Sequence, residues 1–259
     1  MDDEARTIMK IRRVSVVFDG FQALTDVTAD IPEHKISFFI GPNGAGKTTL
    51  LDIICGKTRP TQGNVRLCNQ DGTETILTRL PEYKIVRLGV ARKFQTPSVF
   101  GGLSVMDNMM LSLKGHKSVR EALFYKMTEE DRTLILDTLK QVGMESYTEE
   151  RAGALDHGHK QWLEIAMLLV QKPQIIMLDE PAAGMNKDET RKTGDILLAI
   201  KDRCTIIVIE HDMDFVRQIA DEVTVLHEGK ILVKGTVEEA LENKEVQAVY
   251  LGRGGEKDA

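Results

Sequence analysis

Apolar and polar positions sort the chain into three stretches. Residues 11–18 are rich in Val and Ile, Asp19-Gly20 is a turn signal, and residues 23–31 alternate loosely. The opening therefore reads as strand, tight turn, strand. A short apolar strand over 35–40 runs into a glycine-rich loop, and 50–55 reads as a helix closed near Gly56 and Pro60. Residues 61–90 are turn-rich, with short strands predicted at 64–67 and 75–77. From about 100 to 150 the pattern is helical, and 119–125 and 131–142 carry apolar residues three and four apart with Lys and Glu between them. After Gly158 the predicted order is a helix to about Val170, a strand over 174–178, a helix over 187–200, a strand over 205–209 and a helix over 214–220. A hairpin over 223–234 follows, turning at Glu228-Gly229.

Helical segments lying between two α/β stretches predict an inserted helical subdomain. We expect one domain over 8–252, with a core of 8–96 and 156–252 and a helical insert of 97–155. Residues 253–259, rich in Gly and charge, are expected to be a disordered tail.

Composition narrows the function classes. The 259 residues are 42% hydrophobic and 29% charged, so a core can form without disulfide or metal staples. The net charge of −6 argues against non-specific binding to nucleic acid or anionic lipid. An acidic protein that grips a polyphosphate must concentrate positive charge, amide dipoles or a metal ion at the site. Cys55, Cys68 and Cys204 are widely spaced and form no CxxC pair, which fits thiols in a reducing compartment. The acidic start, Met1-Asp2-Asp3-Glu4, lacks signal-peptide layout, and no apolar run approaches the ~18 residues that cross a bilayer. The expected location is cytoplasmic.

Gly41-Pro42-Asn43-Gly44-Ala45-Gly46-Lys47-Thr48 fits GxxxxGK[ST] at every fixed position, between a predicted strand and a predicted helix. Glycines let the backbone curl so that amide groups face phosphate oxygens, and the helix N-terminus adds the positive end of its dipole. Lys47 can reach the β- and γ-phosphates, the Thr48 hydroxyl can ligate Mg²⁺, and Thr49 completes the ATP-binding loop. Downstream, Ile175-Ile176-Met177-Leu178-Asp179-Glu180 is an apolar run ending in two carboxylates, as expected of a buried parallel strand whose carboxyl end meets a ligand crevice. Asp179 is the candidate for holding magnesium, and Glu180 for orienting or deprotonating the attacking water.

Further segments carry a resemblance over about residues 8–253. Ala91-Arg92-Lys93-Phe94-Gln95-Thr96-Pro97-Ser98-Val99-Phe100, Lys160-Gln161-Trp162-Leu163-Glu164-Ile165, Pro181-Ala182-Ala183-Gly184-Met185 and Glu210-His211-Asp212-Met213 resemble the ABC ATPase family. Within it the likeness is to ATPase subunits of branched-chain amino-acid permeases, and closer still to those of urea permeases. The resemblance implies an α/β fold: a P-loop NTPase (RecA-like) core with an N-terminal antiparallel β subdomain and an inserted helical subdomain. It implies that Phe18 stacks on adenine, that Gln95 senses magnesium and water, and that His211 contacts the γ-phosphate. Leu155-Asp156-His157-Gly158-His159 occupies the place of the signature, usually LSGGQ, which caps ATP held by an opposite subunit. The implied cofactors are ATP and Mg²⁺. The implied partners are a second ATPase subunit, identical or different, transmembrane permease subunits and, indirectly, a solute-binding protein, with no nucleic acid. The chain would sit peripherally on the inner face of the membrane.

The signature departs from the family at Asp156 and His159. Aspartate and serine both cap helices well, but an ionised aspartate cannot donate to a phosphate oxygen. The half-site is therefore expected to be weakened unless Asp156 turns away, takes up a proton or meets a cation. A metal site built from Asp156, His157 and His159 is the alternative at this point. Met106, Met109 and Met110 read as core or as a pliable groove, and Trp162 as buried. Rival functions are an ATPase of a lipid or lipopolysaccharide exporter, a soluble ABC ATPase acting on ribosomes or DNA, and a clamp that binds ATP but hardly hydrolyses it.

Overall fold

In the computed structural model, which describes residues 6–93, 99–114 and 127–251, the strands form two sheets. β1 (Thr7–Phe18) and β2 (Phe21–Pro32) make an antiparallel hairpin whose two-residue turn places Asp19 and Gly20 at φ 45° and 88°. That is the type I′ geometry whose twist matches the flanking strands. β4 (Gln62–Cys68) and β5 (Glu74–Ile76) complete a four-stranded antiparallel sheet in the order β2-β1-β4-β5.

The second sheet has the order β10-β9-β3-β8-β7-β6. β3 (Ile36–Ile40), β7 (Ile175–Asp179) and β8 (Thr205–Ile209) are buried at every residue. With β6 (Val90–Lys93) and β9 (Glu222–His227) they run parallel, and β10 (Lys230–Gly235) closes the edge antiparallel to β9. Side chains alternate across these strands, so the sheet divides two cores. Ile36, Phe38, Ile40, Ile176, Leu178, Ile206 and Val208 face one, whereas Phe39, Ile175, Met177, Ile207 and Ile209 face the other. Burial on both faces explains why these strands read as continuous apolar runs.

The second of these cores holds the N-terminal sheet and helix α1 (Lys47–Ile54). The first holds α3 (Val105–Leu111), α4 (Glu129–Gln141), α5 (His157–Leu169), α6 (Lys187–Ile200) and α7 (Met213–Ile219). Met106 and Met109 are buried there, Met110 packs against it, and Trp162 is buried with its indole N–H donating to Thr193 Oγ1 at 2.9 Å. α2 (Glu82–Arg87), β6, α8 (Val237–Glu242) and α9 (Lys244–Leu251) were not foreseen from the pattern, because each is short and three abut turn-rich stretches. The helix expected at 119–125 and the tail lie outside the described residues. No helix among the described residues is long and apolar enough to cross a membrane.

Candidate functional site

The carboxyl ends of β3, β7 and β8 converge on one edge of the sheet, where crevices form in open α/β folds. β3 delivers the loop of Gly41 to Thr48. Gly41 takes φ 143°, and a Cβ there would stand 2.0 Å from the Leu226 carbonyl oxygen, so backbone meets backbone and only glycine fits. The Ala45 carbonyl accepts from Gly229 N–H at 3.1 Å, which pins the loop to the β9–β10 turn. Gly46, at φ 100°, is the N-cap of α1, and among the described residues no side chain caps it. The first-turn amides of α1 are thus left for a ligand.

Lys47 folds back over its own loop, donating to the Gly41 and Pro42 carbonyls at 2.7 and 3.1 Å. Burial lowers its pKa, and the negative charges of Glu180 and Asp179 work against that shift. Asp179, 4% exposed, has its pKa raised by burial, while Arg92 at 3.3 Å and a hydrogen bond from Thr48 favour the ionised form. Arg92 also pairs with Asp52 on α1, so one buried guanidinium joins α1 to the end of β7.

A pocket of about 290 Å³ lies over the loop, lined by Phe18, Phe21, Ala23, Asn43, Gly44, Ala45, Gly46, Lys47, Thr48, Thr49, Glu180 and Ile209. Phe18 and Phe21 are direct cross-strand partners at the turn and share a face of the sheet, 45% and 66% exposed. Large exposed aromatics beside a phosphate-sized cradle suit a flat base. A separate cleft of about 180 Å³, lined by Leu134, Thr138, Gln141, Leu169, Lys172, Pro173, Arg203 and Cys204, lies away from these groups.

Glu180 sits at φ 50°, an uncommon backbone for a non-glycine residue, and its N–H donates to the Ile209 carbonyl at 2.9 Å. Its carboxylate lies 3.7 Å from His211 Nδ1. Phe21, Arg92 and Glu210 belong to this neighbourhood and were not singled out from the sequence. Phe21 could have been found as the partner of Phe18 across a two-residue turn. The Arg92 pairs and the Ala182 bond of Glu210 carried no local signal, because those partners are remote in the chain.

The signature segment lies apart, and none of Leu155, Asp156, His157, Gly158 and His159 lines the pocket over the phosphate loop. Asp156 is the N-cap of α5 and accepts from His159 N–H at 2.9 Å and from its Nδ1 at 2.7 Å. Its pKa is lowered, first by that backbone N–H, so uptake of a proton is not its way out. The His159 ring stands between Tyr147 and Trp162, with ring centres 4.5 and 4.8 Å away. His157 instead turns to the Ala183 carbonyl at 3.0 Å. The metal alternative for this trio fails for that reason: the side chains diverge, and among the described residues no group of three or more His, Cys, Asp or Glu could hold an ion. Gln95 lies outside the described residues.

Amide-lined loop, lysine, and two consecutive carboxylates at the end of the buried strand β7 define a P-loop nucleotide hydrolase. Residues 24–183 match the ABC transporter family. The chain is 33% identical to the high-affinity branched-chain amino acid transport ATP-binding protein BraF of Pseudomonas aeruginosa over 96% of its own length and 99% of the relative's. It is 32% identical to LivG of Escherichia coli K12, again over 96% and 99%. Among solved structures, the ATP-binding cassette MJ1267 in its ADP conformation aligns with a TM-score of 0.84 at 26% identity, covering 96% of this chain and 100% of that one. CbiO1 of Clostridium perfringens, part of the ABC transporter complex CbiONQ, aligns at 0.77 and 26%, covering 96% and 97%. The chain belongs to the ABC transporter ATP-binding family, in the branch of the branched-chain amino acid transport ATP-binding proteins. It is an ATPase.

Proposed function

We infer that this chain is the ATP-hydrolysing subunit of an importer for a small polar solute, with branched-chain amino acids as the leading cargo and urea as the rival. The printed names of its relatives support the first, and the resemblance noted from the sequence supports the second. The observation that carries the ATPase reading is the join of Asp179 to the Gly41–Thr48 loop through Thr48 and to the helix that follows the loop through Arg92 and Asp52.

In this reading α1's first-turn amides and Lys47 hold the β- and γ-phosphates, Lys47 exchanging its two loop carbonyls for phosphate oxygens. Phe18 and Phe21 take the adenine. Glu180 accepts from the attacking water, and His211 contacts the γ-phosphate. The exposed Thr48 hydroxyl, bonded to the buried Asp179 carboxylate, offers an oxygen pair that fits a hard cation, and Gln95 would join it from beyond the described residues. Magnesium held by Thr48 and Asp179 would supply charge that offsets that of the phosphates.

Residues 97–155 act as the helical insert that passes motion to permease subunits, and the chain works peripherally at the inner membrane face. A solute-binding protein would reach it only through the permease. The segment 155–159 serves a second ATPase subunit across a head-to-tail interface. Because Asp156 already caps α5 with a negative charge, the half-site this chain offers is the weaker one.

Two measurements test the reading. Replacing Lys47 and Asp179 together by alanine is expected to abolish Mg·ATP binding by the full chain, and unchanged binding would sink it. Vesicles holding the chain with its co-purified membrane subunits should take up leucine or urea only with ATP. Recovery of the chain with ribosomes or DNA in place of membrane subunits would overturn transport.

A further inference from the structure

A carboxylate that the ATPase reading leaves unused stands as near to His211 as Glu180 does. Glu210 follows β8 and is 1% exposed. One of its oxygens accepts from Ala182 N–H at 3.1 Å, and the other from His211 N–H at 3.0 Å. The Asp212 N–H is a third donor to it. These amides come from two segments: the turn that begins at Glu180, and the loop that carries His211. Burying an anion there is unfavourable and raises its pKa, with the three amides and His211 opposing the shift. An apolar or hydroxyl side chain would fill the same space without that cost. What only a carboxylate supplies is an acceptor at both ends.

Resting on the ATPase reading above, we propose that Glu210 is a positioning residue whose two oxygens tie the Glu180 turn to the His211 loop and so set the spacing of the two reactive groups. The Glu180 turn is fastened to the end of β8 at two points, Glu180 N–H to the Ile209 carbonyl and Ala182 N–H to Glu210. Two fastenings hold Glu180 in its left-handed backbone conformation, and one would let the turn pivot. His211 Nδ1 lies 3.7 Å from both Glu180 and Glu210, so the bridge also limits where its ring can stand. The loop that grips phosphate makes no contact with Glu210 in this network, so turnover and nucleotide affinity should separate.

Glu210→Gln is the discriminating variant, because its amide keeps one acceptor and turns a donor towards the other N–H. In the full chain we expect kcat to fall at least about ten-fold with KM for ATP within about two-fold. Amide exchange should speed up at Ala182 or at His211, whichever loses its acceptor. In a Glu180→Gln background the same change should cost little more, since the reactive group whose turn it fastens is already lost. A kcat within two-fold of the unaltered chain, or losses that multiply in the double variant, overturns the proposal. If Glu180→Gln and His211→Ala themselves leave turnover intact, the assignment of the reactive groups fails instead, and amide exchange then judges the bridge alone. Should Glu210→Gln not fold, Glu210→Met removes the buried charge at similar length, and an undiminished kcat in it counts equally against the bridge.

Discussion

Helices α1 and α5 both begin where a loop delivers the chain to a cluster of unpaired amides, yet they treat those amides in opposite ways. α1 starts at Gly46, which has no side chain to offer, and its first turn holds no acidic residue. α5 starts at Asp156, whose carboxylate already bonds the His159 amide and ring. The same partial positive charge stands at each N-terminus. One helix keeps it for an external anion, whereas the other has supplied its own. A helix N-terminus is therefore an anion site only where the local sequence withholds a cap.

The contrast is most easily broken at its glycines. Gly41→Ala would drive a Cβ into the Leu226 carbonyl, a backbone atom that cannot step aside, at a φ that disfavours any side chain. We expect about 3 kcal/mol or more of destabilisation, or a displaced loop with Mg·ATP binding weakened at least a hundred-fold. Gly158→Ala in α5 meets the carboxylate end of Glu189 at 2.7 Å, a side-chain tip that can move at the expense of its capping bond from Asn186 N–H, so it should cost less than the backbone clash at Gly41. Denaturant unfolding and nucleotide titration of both variants check the ordering. Equal costs would mean that the phosphate loop is no more demanding of its backbone than the signature turn.

Asp156→Ser sharpens the comparison at the other helix. A carboxylate ~4 Å from a phosphate charge at an effective dielectric of ~20 would repel it by roughly 4 kcal/mol. The Asp156 side chain is 59% exposed and paired with His159, so solvent and partner leave only a fraction of that. We expect a gain of about three- to ten-fold in ATP-driven association or turnover, shrinking as salt is raised. No gain at low salt would remove the idea of a weakened half-site.

How much of this was legible in the sequence depended on where each partner lies. The α/β order and the seven strands at 11–40, 174–209 and 223–234 showed in the apolar pattern, most plainly at β3, β7 and β8, where burial on both faces leaves uninterrupted runs. β6 was lost since only four residues pair, and α8 and α9 since each is a short helix. The phosphate loop was legible because its parts are contiguous: glycines, Lys47 and Thr48 stand together in the chain. Arg92, bonded to Asp52 and Asp179, and Glu210, bonded to Ala182, have meaning only across strands, which no local motif records. Asp156 fell between these cases. Its fitness as a cap could be read locally, but its pairing with His159 was a matter of rotamer and ring orientation.

The smallest effect separates the two jobs of Asp156. Asparagine keeps a cap oxygen and loses the charge, whereas alanine loses both. Asp156→Ala should lower stability by about 1 kcal/mol, or about 2–4 °C in Tm for a chain of this size, and Asp156→Asn by much less. Asp156 has a folded pKa below its ordinary value, so the charge-dependent share of its stabilisation is present above the usual carboxylate range and is lost as pH falls through the folded value. Asp156→Asn should abolish that acid-side dependence at this site. Turnover then reads the second job: a gain in Asp156→Asn equal to that in Asp156→Ser assigns the weakness to charge. A gain confined to serine assigns it to the missing hydroxyl donor, and in that case the signature helix fails its partner's phosphate for want of a hydrogen bond and not through repulsion.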